Sequence, residues 1–550
     1  MCSQIGQQDG SGTAETAAPA NQNASAASSP PVLLEPGALT RCRHRVHLDA
    51  TYPELLASAP ANTGVKQRQD AAAAQREAVR VRLMEAEPDD WVRIAPDGPA
   101  GQRARDTLEA CRAGAEKVWG AVLPAERDTG RRGRVEILFR DADRGGYIPV
   151  IVVNHKVTDP GSGATTSGLL EWQPTLDPKR KVRAQLRDQM RLAQVYRMLE
   201  RHDLASPALV GGAIGYGADV VLVHDLSTVL ADYDERFADR IAVARGELAT
   251  VPSQIGECRS CPWWSGCRQT LEETRDVSLV ATGSRADVLR GHGVTTIDQL
   301  AAWEGDAPEE WPHNSFRDTV VTAKAWLAGA PLVRRRNTVT VTRADVEVDV
   351  DMESYQEHGA YLWGTLLNVA GTSVYRPFVS WDPVPTVDEA RSFAEFWTWL
   401  MAERAGAAAV GKTFAAYCYS RSAEDKWLLD SARRFAGLDG VPTVEEIREF
   451  IDGPQWVDIY QAVGDQFVCP NGKGLKKIAP IAGFQWRDAE ASGEASMSWY
   501  REAVGYDGEP DPAQRQRLLE YNEDDVIATK VLREWMTDRA ALEIPLESEL

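Results

Sequence analysis

The stretch RADVEVDVDMES, residues 343–354, decides the fold, because acidic and apolar residues alternate along it without interruption. Successive side chains of a β-strand point to opposite faces, so the acids share one face and the apolar residues the other. Neighbouring carboxylates repel each other unless a positive group lies against them. For the first two or three acids we expect a solvent-facing edge strand, where charge discourages aggregation. The acidic face consists of Asp345, Glu347, Asp349, Asp351 and Glu353.

Two later segments carry residues that fit the last two acids of this strand. The segment LLEYNEDDVIATKVLREWM places Tyr521 and Asp525 four residues apart, which puts them on one face of a helix. Between it and the acidic strand, AAYCYSRSAEDKWLLDSARRF predicts a strand followed by a helix that carries Glu424 and Asp425. The chain therefore has D-x-E on a strand, an acid at the head of a middle helix, and Y-x-x-x-D on a late helix.

This order of motifs resembles the DEDD superfamily of 3′→5′ exonucleases, in the subtype with tyrosine in the last motif. The resemblance covers residues 344–536 and is similar to the ribonuclease H-like domain that follows RecB-like domains in bacterial nucleases. WVDIY around Asp458 and GLKKIAPIAGFQW around Lys476 strengthen it. It implies an α/β fold over residues 338–550, with a mixed sheet flanked by helices.

The resemblance also implies roles for the motif residues. Two divalent ions activate water and stabilise the leaving oxygen in this chemistry, and Mg²⁺ or Mn²⁺ prefers carboxylate oxygen. Asp351, Glu353 and Asp525 would ligate metal, with Asp351 bridging two ions, and Tyr521 would orient the attacking water. Glu424 holds the place of the more common aspartate, with Asp425 as the alternative. Nucleic-acid contacts are expected at Lys476 and Lys477.

A cysteine cluster lies in the first half of the chain. The segment ECRSCPWWSGC places Cys258, Cys261 and Cys267 in a C-x-x-C-x₅-C array, and Cys42 lies far upstream. One cysteine before an α/β domain and three after it resembles the iron–sulfur staple of RecB-type nucleases. Four thiolates suit a [4Fe–4S] cluster. Zinc, which also accepts four thiolates, and a tight turn with unligated thiols are the alternatives.

With this cluster, residues 37–275 resemble a RecB-like domain of the PD-(D/E)xK, restriction-endonuclease type. That family requires an acid on one strand and an acid-x-Lys pair on the next. Glu136 supplies the first acid, but Ile151 and Val153 stand where the pair is expected. His155 and Lys156 follow without a carboxylate beside them, and Gln75 stands near the place of the family's upstream histidine. We expect a domain that keeps the fold, has lost catalysis and binds substrate.

Basic residues of this half offer a nucleic-acid surface. Residues 178–201 predict a long basic amphipathic helix, in which Arg187 and Arg191 are candidates to contact a phosphate backbone. The alternative is a solvated helix face balanced by nearby acids. Further basic candidates are Arg131, Arg132 and Arg134, while Trp263 and Trp264 either pack over the cysteine cluster or stack on bases.

Composition and segment boundaries complete the prediction. The 550 residues carry a formal net charge of −20, so no global positive field attracts nucleic acid. Residues 1–36 are rich in small polar residues and predict a disordered tail, and residues 276–337 predict a helical linker resembling a helix–hairpin–helix unit, or an ordinary linker. No apolar run is long enough to span a membrane and no secretory signal is visible, so we expect a cytoplasmic protein.

These features favour a metal-dependent 3′→5′ exonuclease acting on single-stranded 3′ ends. The sequence leaves open whether the substrate is DNA or RNA. The alternative is a non-catalytic nucleic-acid-binding or scaffold protein in which both nuclease folds are degenerate.

Overall fold

The computed structural model describes residues 31–58, 63–312, 315–506 and 508–550. It divides into two compact units, of which the first ends at residue 249 and the second comprises residues 54–69 and 250–550. Within the described residues, no helix combines the length and the apolar character needed to cross a bilayer. The first thirty residues of the predicted tail lie outside the described residues. Leu34, within the last residues of the predicted tail, is buried and forms a β-bridge with Arg131.

Residues 31–249 build a large twisted sheet with helices. The helices of this part are α1 (Arg43–Thr51), α2 (Pro53–Ser58), α3 (Thr63–Ala86), α4 (Ala100–Arg112), α5 (Leu186–Glu200) and α6 (Leu230–Ala244). The strands are β1 (Trp91–Arg93), β2 (Lys117–Val122), β3 (Arg134–Arg140), β4 (Tyr147–Val152), β5 (Thr158–Pro160), β6 (Ala164–Ser167), β7 (Thr175–Asp177), β8 (Arg180–Val182), β9 (Val210–Ile214) and β10 (Val221–Asp225). Eight of them form one sheet in the order β1-β2-β3-β4-β9-β10-β6-β7. Strands β3 and β4, which carry Glu136 and Ile151, form an antiparallel pair.

The predicted basic helix over residues 178–201 is wrong in its first third. Helix α5 begins only at Leu186, and the residues before it form strand β8, which pairs with β5. Arg180 makes ion pairs with Asp177 and Asp219, which hold this segment in a hairpin-like ladder. A run of charged residues is compatible with either structure, and cross-strand pairing selects the strand.

The second unit continues with helices α7 (Trp264–Glu273), α8 (Ser284–Gly291), α9 (Ile297–Ala301) and α10 (Phe316–Ala328). Helices α8 and α9 lie within the predicted helical linker, on either side of Gly293. The basic run VRRRN, residues 333–337, lies inside this unit. Its strand β11 (Val333–Arg334) pairs with a later strand, and the buried Arg334 donates to the carbonyl of Asn337 at 2.8 Å.

The remaining elements form a five-stranded mixed sheet with helices around it, as expected for residues 338–550. The strands of this sheet are β12 (Val346–Tyr355), β13 (Gly359–Val369), β14 (Thr372–Val379), β15 (Phe414–Cys418) and β16 (Trp456–Asp458). A further strand, β17 (Phe467–Val468), pairs with β11. The helices are α11 (Asp388–Ala409), α12 (Arg421–Arg434), α13 (Val444–Ile451), α14 (Ile459–Gln466), α15 (Leu475–Ile478), α16 (Gly493–Val504), α17 (Pro512–Asp538) and α18 (Ala540–Glu543). The sheet order is β14-β13-β12-β15-β16, antiparallel from β14 to β12 and parallel from β12 to β16.

Strand β12 therefore lies at the centre of the sheet, and the expectation of a solvent-facing edge is wrong. Asp345 is exposed, but Glu347 and Asp349 are buried. The positive group that these carboxylates need is Arg533 of α17, whose side chain is fully buried. Its guanidinium pairs with Glu347 and lies 2.8 Å from Asp349, while Arg343 also donates to Glu347 at 2.7 Å.

Charge pairing determines the ionisation of Glu347. Burial alone raises the pKa of this carboxyl, but the bonds and charges of Arg343 and Arg533 outweigh burial and hold it at about 2. A folded-state pKa below the ordinary 4.5 stabilises the fold at neutral pH. The stabilisation is complete above about pH 4.5 and is lost as the pH falls towards 2.

We predict that Arg533→Met lowers the free energy of unfolding of the second unit by about 3–5 kcal/mol, because it leaves Asp349 buried without a cation and Glu347 with Arg343 alone. The measurement is hydrogen exchange of the β12 amides at pH 7. Lys530→Met is the matched control on the same helix. It breaks a partly exposed pair with Glu534 and should cost less than about 1 kcal/mol.

The difference in the free energy of unfolding between wild type and Arg533→Met should become smaller as the pH is lowered from 5 towards 3. The reason is that Glu347 then becomes protonated in the variant. A difference that stays constant over this range would show that Arg533 acts through packing alone.

Candidate metal centre

Strand β12 and helix α17 bring three carboxylates together. Asp351, Glu353 and Asp525 each place one oxygen within 4.8 Å of the other two, and no other group of three such ligands occurs in the described part of the chain. Four residues of a helix advance about 6.0 Å and two residues of a strand about 6.6 Å. Every fourth residue of the helix therefore lies opposite every second residue of the strand. These oxygens are the hard ligands that Mg²⁺ and Mn²⁺ prefer. The arrangement is able to hold a divalent cation.

The fourth acid comes from the start of α12. Glu424 is 4% exposed, and its Oε2 atom has no hydrogen-bond partner among the described residues. Its charge contributes to raising the pKa of Asp351, so it lies near the three carboxylates, although it is outside the group whose oxygens are all within 4.8 Å of one another. Asp425 is already engaged, since it accepts bonds from Arg421 at 3.0 Å and from the indole of Trp456 at 2.8 Å. The geometry favours Glu424 over Asp425.

Repulsion inside the cluster appears in the pKa values of its carboxyls. Burial, followed by the charges of Asp525 and Glu353, raises the pKa of Asp351 well above its ordinary value. Burial and Asp525 raise the pKa of Glu353 to about 8, and burial brings Glu424 to about 8 as well. Burial raises the pKa of Asp525 to about 6, against the opposing effects of Lys476 and Trp486. The charge of Lys476 only partly compensates these four carboxyls, and a divalent cation supplies further positive charge.

Neighbouring side chains fix the orientation of the carboxylates. Asn522 donates to Asp351 Oδ2 at 2.8 Å and in turn accepts a bond from the Tyr375 hydroxyl at 2.8 Å. The indole of Trp486 donates to Asp525 Oδ1 at 2.7 Å. Sequence reasoning missed these three residues. Asn522 stands beside Tyr521 in the late motif and Trp486 ends the segment GLKKIAPIAGFQW, whereas Tyr375 carries no local signal.

Lys476, a predicted nucleic-acid contact, lies beside the three carboxylates. Its Nζ donates to the hydroxyl of Tyr521 at 3.0 Å and lies 4.3 Å from the centre of the tyrosine ring. Burial lowers the pKa of Lys476, while the nearby carboxylates raise it. Lys477 is exposed. The side chain of Asp458 caps α14 by accepting from the amide of Gln461.

Gly364 allows Asn522 to approach the strand. It pairs with Asp351 in the register of β12 and β13. A Cβ atom at this position would lie 1.5 Å from Asn522 Oδ1, which is far inside van der Waals contact. A glycine is therefore required beside the asparagine that holds Asp351.

In the first unit, the predicted residues separate. Arg191 is engaged by Glu136, with its Nη2 atom 2.7 and 2.8 Å from the two carboxylate oxygens, so it does not offer a free guanidinium for a phosphate backbone. Arg187 is exposed, and His155 lies 2.8 Å from Asp188. The hydrophobic side chains at the expected acid-x-Lys positions, Ile151 and Val153, are buried.

The cysteine segment lies at the start of the second unit. Cys258 is on a 3-10 helix (Gly256–Ser260), Cys261 directly follows it, and Cys267 is on α7. All three are partly buried, and the amide of Ile255 donates to the sulfur of Cys258 at 3.4 Å. Amide donation to sulfur suits a thiolate ligand. Cys42 directly precedes α1 in the first unit.

Comparison with known proteins supports the fold of the C-terminal part of the second unit. The RNase_H_2 model of the RNase_H superfamily matches residues 438–537, a range that contains Lys476, Tyr521 and Asp525. No match was found among curated proteins or among solved structures. The C-terminal part of the chain thus contains a ribonuclease H-like domain.

We predict that Gly364→Ala destabilises the second unit by about 1–3 kcal/mol, because the new methyl group overlaps Asn522. The double variant Gly364→Ala/Asn522→Ala should be more stable than the single variant, since the overlap is removed. We expect Mn²⁺ to raise the melting temperature of wild type. Both variants should lose this rise, because Asp351 loses its hydrogen-bond donor. Thermal melting with and without Mn²⁺ measures both effects.

Gly406→Ala is the control. Gly406 lies inside α11 with open space around its Cα, so the substitution should leave stability unchanged or raise it. A double variant that is less stable than Gly364→Ala would contradict the assigned overlap.

Proposed function

From the ribonuclease H-like domain of the second unit, we propose that this chain is a metal-dependent nuclease of the DEDD type with tyrosine, acting as a 3′→5′ exonuclease on DNA or RNA. The observation that carries the proposal is the convergence of Asp351, Glu353 and Asp525 beside Tyr521. Two-metal hydrolysis of phosphodiesters uses carboxylates gathered in this way to hold the metal ions.

The carboxylates fit Mg²⁺ or Mn²⁺ by donor type and by proximity. When bound between Asp351, Glu353 and Asp525, the metal ions supply the activation of water and the stabilisation of the leaving oxygen. Asn522 and Trp486 hold two of these carboxylates in fixed orientations before substrate arrives. Such preorganisation lowers the cost of reaching the transition state.

Tyr521 serves as an orienting group. Its hydroxyl accepts a bond from Lys476 and interacts with the Asp525 carboxyl. Burial and the neighbouring carboxylates raise the pKa of Tyr521 above its ordinary value, so the phenol stays neutral. A neutral phenol positions a water by hydrogen bonding and does not remove its proton. Lys476, which lies beside the carboxylates, offers the substrate phosphate a positive charge.

The first unit contributes binding in this proposal. It is a RecB-like domain in which the acid-x-Lys pair is replaced by buried Ile151 and Val153, and in which Glu136 is neutralised by Arg191. A metal site without a second acid has no anchor. The domain therefore grips substrate, and the hydrolysis takes place at the carboxylates of the second unit.

The cysteine segment is proposed to hold a [4Fe–4S] cluster. Cys258, Cys261 and Cys267 lie on adjacent short elements, and an amide already donates to one sulfur. Cys42 as the fourth ligand stays a prediction from the sequence. Zinc on the same thiolates is the competing assignment.

We expect the full-length protein to degrade 5′-labelled single-stranded DNA or RNA to a ladder that shortens from the 3′ end, in the presence of Mg²⁺ or Mn²⁺. Asp525→Asn and Asp351→Ala should each reduce the rate by at least about 100-fold, since each removes a metal ligand. Asp538→Asn, an exposed acid at the end of the same helix, should retain the wild-type rate.

Gel analysis of the time course measures polarity and rate together. Cleavage that survives both substitutions would move the chemistry away from this site. A protein that binds the strands without cutting them would favour the scaffold function.

Anaerobically purified protein is expected to be brown, with a broad absorbance near about 400 nm and iron in the sample. Cys261→Ala should bleach it, because one thiolate ligand is removed. Cys469→Ala is the control, as Cys469 lies outside the cysteine segment. Colourless protein that contains zinc and no iron would refute the iron–sulfur assignment.

A further inference from the structure

A cavity of about 280 Å³ in the first unit is lined by an excess of arginine. Its walls come from α3, β1, α4, β2 and β3. The volume is close to the lower end of the range of about 300–1,000 Å³ that is common for ligand pockets. Five arginines and two glutamates line it: Arg76, Arg80, Arg93, Arg103, Arg134, Glu77 and Glu136. Such a local excess of positive charge contrasts with the net charge of −20 of the whole chain.

Both glutamates of the cavity are already paired. Glu136 accepts two bonds from Arg191, which is outside the lining residues, and a third from the amide of Val152. Glu77 accepts a bond from Arg80 at 2.8 Å. The negative charge in the cavity is thus largely neutralised by two arginines, one of which does not line it. Arg76, Arg93, Arg103 and Arg134 remain as the excess.

Two of these arginines show that their charge is poorly compensated. The Nε atom of Arg103 is buried and has no hydrogen-bond partner in the described part of the chain. Burial lowers the pKa of Arg76, Glu136 raises it, and the like charges of Arg191 and Arg134 lower it again. A guanidinium stays protonated in proteins, so this repulsion remains until an anion enters.

We propose that this cavity binds a phosphate group, carried by a nucleic-acid strand or by a free nucleotide. Guanidinium groups present paired N–H donors that match phosphate oxygens, and several of them around one small cavity favour a doubly charged oxyanion. The site binds without a metal ion, because its charge is supplied by side chains. It is independent of the carboxylate cluster of the second unit, and its ligand needs no cleavage to be held.

The test is binding by the full-length protein in EDTA, where a carboxylate cluster repels phosphate. Isothermal titration with inorganic phosphate and with uridine monophosphate measures the free ligands, and fluorescence anisotropy measures a labelled 15-residue oligothymidylate. The variants are Arg134→Gln, an exposed position at the start of β3, and Arg76→Gln/Arg134→Gln. Arg112→Gln is the matched control, exposed on α4 and outside the cavity.

We expect the double variant to bind each ligand at least about tenfold more weakly, and Arg112→Gln to bind as wild type does. The slope of log affinity against log salt for the oligothymidylate should fall by about one for each arginine that contacts a phosphate. Circular dichroism melting confirms that the variants fold, and the single exposed substitution keeps the test valid if the double variant does not.

The ligand series identifies the source of the phosphate. Competition between the oligothymidylate and uridine monophosphate places a strand in the cavity, whereas binding of the small ligands alone assigns it to free nucleotides. Wild type that binds no phosphate ligand, or variants that bind like wild type, would overturn the proposal. Loss of exonuclease activity with binding intact would overturn the function of the second unit and leave this site standing.

Discussion

The pairing of strand β12 with helix α17 is the interaction on which the second unit depends. Near the end of the helix, Arg533 pairs with Glu347 and Asp349 near the start of the strand. Near its middle, Asn522 holds Asp351 further along the strand. Helix and strand therefore run in opposite directions, and steps of four helical residues match steps of two strand residues. The acids of β12 meet a different group of α17 at each step.

In this register the acidic face of β12 has two parts, one that lies against a positive charge of α17 and one that lies against a negative charge. Glu347 and Asp349 are neutralised inside the protein by a buried arginine, which anchors the helix to the strand. Asp351 and Glu353 meet Asp525, a further acid, and repel it. The attraction near the end of the helix offsets the repulsion near its middle. A cation then enters a site whose geometry is already fixed.

The sequence predicted the elements of this arrangement better than their surroundings. Strict alternation specified the strand and its acidic face, and the four-residue spacing placed Tyr521 with Asp525. The same alternation fits an edge strand and a central one, so burial of Glu347 was not predictable from it. Arg533 stands eight residues after Asp525, and a search for a cation in step with buried acids would have found it. The overlap that requires Gly364 depends on a contact 158 positions away in the sequence, which no local pattern reports.

In the first unit, composition predicted basic character but not its placement. The expected basic helix is partly a strand. Arg191 pairs with Glu136 and so places a permanent positive charge beside the acid where a nuclease of this type would hold metal. With Glu136 paired to Arg191 and Glu77 paired to Arg80, the other arginines of the cavity have no ion-pair partner among the described residues. At physiological salt, charge interactions are screened beyond about 8 Å, and the chain as a whole is strongly acidic. The cavity therefore acts on a phosphate only at contact, so it is suited to holding a strand or nucleotide that has already arrived, and poorly suited to attracting one from solution.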